Sequence, residues 1–187
     1  MLDRWCVRCG RPDMTPYLKT QLPKLKKLLN ERPAGEIEVV DIGCGTGRNM
    51  KGLVAAGFDP GKVRGYDMCP DKAGVSGLWL GHDPFPREDN TTDLFLANYV
   101  FMFLNDEEIR QVMAEINRTA KLGAVIIIEL YPAKDSRIHD DYEMGVLKNM
   151  LISAILEFER KGLMWACEHN IKGKCILRLI DREALNG

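Results

Sequence analysis

The stretch Glu38-Val39-Val40-Asp41-Ile42-Gly43-Cys44-Gly45-Thr46-Gly47-Arg48-Asn49 restricts what this chain can fold into more than any other. Val39, Val40 and Ile42 read as a buried strand. Three glycines at alternate positions end that strand in a turn, and the residues after them open a helix. A strand end, a glycine turn and a helix N-terminus together make a site for a nucleotide-like ligand. Glycine is needed where a side chain would hold the ligand off the backbone, or where the turn demands positive φ. The spacing narrows the ligand. A pyrophosphate-binding turn reads Gly-x-Gly-x-x-Gly. Here Gly43, Gly45 and Gly47 bring the third glycine one residue early, and Asp41 stands two before the first. The alternative is a tight strand-to-helix turn with no ligand, and the downstream residues decide between the two.

Met50, Leu53 and Val54 mark a short helix stopped by Gly57, and Lys62-Val63-Arg64-Gly65-Tyr66 reads as a second strand ending at Asp67. Asp67 lies twenty residues past Gly47. In nucleotide-binding α/β units a carboxylate about that far along accepts hydrogen bonds from ribose hydroxyls. Residues 71–76 leave room for one helical turn at most, and Leu78-Trp79-Leu80 predicts a brief third strand. Asp93–Asn98 predicts a fourth, and the apolar run Ala124–Leu130 a central strand buried on both faces. Asn105 and Glu108 form a capping-box signature for an amphipathic helix through Ile109, Val112, Met113, Ile116 and Ala120, closed by Gly123. A long helix is expected from Asp141 to Gly162, followed by a hairpin of Leu163–His169 and Cys175–Ile180. Upstream, residues 1–16 read as an extended arm and 17–30 as a helix with Leu18, Leu22, Leu25 and Leu29 on one face. Pro23 marks a break or kink in it, and Lys19, Lys24, Lys26 and Lys27 read as its solvated face.

Asp41 with the Gly-x-Gly-x-Gly turn, and Gly65-Tyr66-Asp67-Met68-Cys69-Pro70 in register behind it, resemble the first two motifs of class I S-adenosylmethionine-dependent methyltransferases. Phe85-Pro86 through Asp93-Leu94 resembles that family's lead-in to strand four, and Ala120-Lys121-Leu122-Gly123 its turn before strand five. The resemblance runs from about residue 36 to 181. It implies an α/β fold: a doubly wound, mostly parallel seven-stranded sheet with helices on both faces and a C-terminal antiparallel hairpin, in a single domain. It also implies S-adenosylmethionine as cofactor and S-adenosylhomocysteine as product. Gly43, Cys44, Gly45 and Gly47 carry over as the cofactor loop and Asp41 as the acid supporting it. Asp67 carries over to the ribose, Met68 beside it to the cofactor site, and Asn98 to the strand-four position whose backbone meets the cofactor's amino-acid end. Asp83, with His82 sharing the role, carries over to the adenine, in a region compressed by a few residues.

Such a donor is already activated, so the protein's share is alignment and water exclusion. A general base is needed only for an acceptor that must lose a proton. Candidates near the open edge of the sheet are Tyr99, Glu129, Tyr131 and His139, and the arm offers Arg11, Asp13 and Tyr17 as substrate contacts. Strand four ends Ala97-Asn98-Tyr99-Val100 and not Asp/Asn-Pro-Pro-Tyr, the motif that holds planar nitrogen acceptors. A small-molecule acceptor is therefore favoured. A protein or RNA group is the alternative if the lysines of residues 19–27 are continuous with the open edge, and a non-catalytic, partner-activating subunit is another.

With a net charge of −1, the chain has no strong field for nucleic acid or an anionic membrane. The apolar run Leu94–Leu104 is too short to span a bilayer, and the first residues lack the apolar core of a signal peptide. The six cysteines suggest no disulfide framework, so a cytoplasmic protein with reduced thiols is expected. Cys6 and Cys9 have the spacing of half a zinc site, but Cys167 and Cys175 do not supply the other half, and no metal is expected.

Overall fold

The computed structural model describes residues 13–68, 75–130, 162–171, 173–181 and 183. Seven strands form one sheet: β1 (Val39–Ile42), β2 (Val63–Asp67), β3 (Val75–Gly77), β4 (Thr92–Asn98), β5 (Ala120–Glu129), β6 (Leu163–Ile171) and β7 (Lys174–Asp181). Their order is β3-β2-β1-β4-β5-β7-β6. The first five pair in parallel, and β7 lies antiparallel between β5 and β6. The chain leaves β1 for β2 on one side and returns to β4 on the other. That reversal opens a crevice beyond the C-terminal ends of β1 and β4, where α/β sheets bind ligands.

Every residue of β1 and β4 is buried, as parallel strands covered on both faces must be. Alternation along β4 divides the core. Phe95 and Ala97 join Val40, Ile42, Ile126 and Ile128 under helix α3 (Asp106–Thr119), which supplies Ile109, Val112, Met113 and Ile116. Leu94 and Leu96 join Val39, Val125 and Ile127 on the other face. There the cover is α1 (Pro16–Leu28), through Leu18, Leu25 and Leu28, and α2 (Arg48–Ala55), through Met50 and Leu53.

Three sequence expectations shift. Helix α1 runs through Pro23 without a break, because one lost backbone bond on an exposed position is offset by three buried leucines. The third strand is Val75–Gly77 and not Leu78–Leu80. Leu78 and Leu80 are buried while Trp79 is exposed, an alternation like that of a strand. It arises instead in a turn, where His82 N and Asp83 N both donate to Trp79 O. Finally, α3 ends at Thr119, and Ala120 to Gly123 already belong to β5. Gly123, at φ +85°, sits where the β4–β5 register shifts between Thr92 and Leu94. The capping box is present: Glu108 N donates to Asn105 Oδ1 at 2.9 Å, and Asn105 N to Glu108 Oε2 at 2.8 Å. The closing hairpin also forms, with a bulge between Cys167 and His169.

Candidate cofactor and acceptor site

The three glycines of the turn all have positive φ, +64° at Gly43, +54° at Gly45 and +71° at Gly47. A side chain at Gly43 would be doubly excluded, since its Cβ would lie 2.7 Å from Cβ of Val100. Tyr66 O at the end of β2 accepts from Gly43 N at 2.8 Å and Cys44 N at 3.2 Å, which ties the turn to the neighbouring strand. Gly65 makes that approach possible: a Cβ there would lie 2.6 Å from Cys44 Sγ. The structure then brings Asp67 onto the turn, its Oδ2 accepting from Gly45 N at 2.8 Å.

Asp41 lies at the foot of the turn, 1% exposed, and its Oδ2 has no hydrogen-bond partner among the described residues. Burial pushes its pKa up to about 7; Asp67 adds to the rise, while Arg48 and Asn49 oppose it. Asn98 lies next along the crevice. Its amide joins a closed ring of buried polar groups. Thr15 N donates to Asn49 Oδ1 at 3.1 Å, Asn49 Nδ2 to Asn98 Oδ1 at 3.1 Å, and Asn98 Nδ2 to Glu129 Oε1 at 2.5 Å. The Thr15 hydroxyl closes the ring on the same Glu129 oxygen. Tyr99 OH donates to Glu129 Oε2 at 2.9 Å, and Tyr99 N to Glu129 O at 2.7 Å. Tyr99 has φ +61°, rare for a bulky residue, and its ring lies under the Arg48 guanidinium at 5.9 Å.

Beyond β5, Tyr17 OH and His169 Nδ1 are 2.8 Å apart, and Lys174 Nζ stands 5.1 Å from the Tyr17 ring centre. Burial, helped by Cys175, Glu129 and Cys167, pushes the Tyr17 pKa up to about 12, so this phenol stays protonated at neutral pH. Asp13 is exposed. On the other side of the crevice Asp83 Oδ2 accepts from Trp79 N at 2.8 Å, and His82 Nε2 lies 3.2 Å from Glu108 Oε1. Met68, just past β2, is half-buried. Arg11, Tyr131, His139, Cys6 and Cys9 lie outside the described residues, as do the short segment at 71–74 and the helix expected from Asp141. Among the described residues no group of three or more His, Cys, Asp or Glu side chains is placed to hold a metal, and no helix is long and apolar enough to cross a membrane. A separate cleft of about 440 Å³, lined by Glu38, Arg87 and Lys121, opens at the N-terminal ends of the strands, away from this crevice.

The motif reading missed Thr15, Asn49 and His169. Thr15-Pro16 did carry a signal, a capping residue before a proline at the first helical position. Asn49 and His169 had none, because their partners are distant in sequence and met only in the folded sheet.

The crevice, its glycine turn and the strand-two carboxylate are arranged as in a Rossmann-like α/β domain. Residues 40–128 match the family model described as a methyltransferase domain. The chain is thus similar, over a little under half of its length, to methyltransferase domains. It is 27% identical over 143 residues to 2-ketoarginine methyltransferase of Streptomyces arginensis, an alignment covering 68% of this chain and 41% of that protein. It thus spans about two fifths of that relative's length. The fold resembles that of a TehB-like methyltransferase from Corynebacterium glutamicum, with TM-score 0.55, 16% identity, 89% of this chain and 95% of that one covered. It also resembles CalS10, an amino pentose methyltransferase from Micromonospora echinaspora, with TM-score 0.58, 15% identity and 86% and 89% covered.

Proposed function

We propose that this chain binds S-adenosylmethionine in the crevice over β1, β2 and β4 and transfers its methyl group to a small molecule held on the β5 side. The observation that carries the reading is the Asp67 carboxylate on the Gly45 amide of a turn whose three glycines all have positive φ. The residues fit the cofactor. Asp67 offers acceptors to the ribose hydroxyls, and the glycine turn admits the ligand to bare backbone. The unpartnered oxygen of Asp41 is a buried acceptor for a donor on the ligand or the turn.

S-adenosylmethionine supplies a sulfonium methyl open to in-line displacement. The chain's own residues then orient and exclude water. Asn98 is held rigid by Asn49 and Glu129, and Tyr99 by two bonds to Glu129. A small acceptor is supported by the absence of a Pro-Pro-Tyr sequence after Asn98. It is also supported by the names of the relatives, one acting on 2-ketoarginine and one on an amino pentose. The lysines of α1 do not favour a macromolecular acceptor. Lys24 is spent on Glu168 O at 2.8 Å, and Lys19, Lys26 and Lys27 are exposed, as a solvated face is. The test incubates the protein with methyl-labelled cofactor and the small-molecule fraction of a cell extract, and separately with its protein and RNA. Label entering small molecules is expected. Label confined to protein or RNA would contradict the reading.

A further inference from the structure

We propose that Glu129 and Tyr99 make the acceptor site selective for a small-molecule amine, bound as its ammonium ion and relieved of a proton before methyl transfer. This rests on the methyltransferase reading and names its substrate class. Glu129 is wholly buried at the C-terminal end of β5, in register with Asn98 of β4. It stands two strands beyond Asp41, roughly 10 Å across the sheet at ordinary strand spacing. That places it past the cofactor crevice, on the acceptor side.

Among the described residues its side-chain hydrogen-bond partners are Thr15, Asn98 and Tyr99, all neutral. Among the described residues no lysine, arginine or histidine forms an ion pair with it. Lys174, its register partner on β7, lies instead against the Tyr17 ring. A buried carboxylate without a counter-ion is costly, and a cation entering the same low-dielectric space is strongly attracted to it.

Tyr99 is the exposed end of this arrangement. It is half-buried, its left-handed backbone is fastened to β5, and its hydroxyl donates to Glu129 Oε2 at 2.9 Å. The proton balance follows. An N–H proton of the ammonium passes to the Tyr99 oxygen as the Tyr99 proton passes to Oε2 of Glu129. The freed nitrogen lone pair forms the N–C bond while the donor's C–S bond breaks, its electrons remaining on sulfur. The product leaves as a methylated ammonium, and Glu129 is left neutral until its proton returns to solvent.

The test removes the unreacted donor, itself a cation, on charcoal and then separates the labelled products of the extract incubation on a cation exchanger, for the native protein, E129Q and Y99F. S-adenosylhomocysteine titration, with both variants expected to bind within about threefold of the native protein, shows whether the cofactor site survives. The expected result is label retained on the exchanger, lost by roughly a hundredfold in E129Q and by at least about tenfold in Y99F. Label in neutral or anionic products would overturn the amine assignment and leave methyl transfer standing. Retained label with equal yields from E129Q would overturn the role of Glu129. No label in any small molecule would overturn the underlying reading itself.

Discussion

Gly43 and Asp41 show how narrow the tolerance is at single positions. Replacing Gly43 by alanine adds a Cβ against Val100 on backbone at φ +64°. The variant is expected to lose about 2–4 kcal/mol of stability and its cofactor affinity together. Urea unfolding and calorimetry check the two losses. Asp41 makes a pH prediction. Its folded pKa of about 7 stands above the ordinary 3.8, so between those values the folded chain binds more protons than the unfolded one. Its contribution to stability is therefore fully present below about pH 4, falls as pH rises, and is gone above about 7. Asp41→Asn should flatten that decline. Unfolding free energies at pH 5 and pH 8 measure it, and equal slopes for variant and native protein would contradict the assignment. Asp67 could be read from sequence because its distance from the glycine turn is a local property of one strand–helix–strand unit. Glu129 was visible only as a polar residue ending an apolar run, since Thr15 lies 114 positions away from it.

Among the elements, α3 was legible almost to the residue, because capping and amphipathic period are written within one turn of the helix. Asn105→Ala removes the acceptor for Glu108 N and is expected to cost about 1 kcal/mol, read from the shift in urea midpoint. The end of α3 was less legible, since a register shift with β4 decides where helix gives way to strand. The third strand was misplaced for a similar reason. Burial alternates at Leu78, Trp79 and Leu80, but pairing with β2 occurs at Val75–Gly77. Hydrophobic period reports burial and not pairing. One inter-element contact invites a test. Trp165 Nε1 on β6 donates to the buried Asn117 Oδ1 of α3 at 2.7 Å. Trp165→Phe removes that buried bond and should destabilise by about 1–3 kcal/mol, with little change in cofactor affinity.

At the scale of the molecule, the buried central strand and the closing hairpin were readable because a buried parallel strand is continuously apolar and hairpin strands flank a glycine turn, while the arrangement of the seven strands came from the family resemblance. What the sequence could not supply was the convergence of α1, α2, β4 and β5 on one polar ring. That convergence depends on strand order, and it joins the start of α1 to the rim of the crevice through Thr15. The central claim concerns that crevice. Its most direct test is calorimetric titration of the protein with S-adenosylhomocysteine, alongside Asp67→Ala and with NAD as the competing ligand. One saturable site per chain is expected, weakened at least about tenfold by the substitution, with NAD silent. No heat from the sulfur compound, or binding of NAD in its place, would contradict the account.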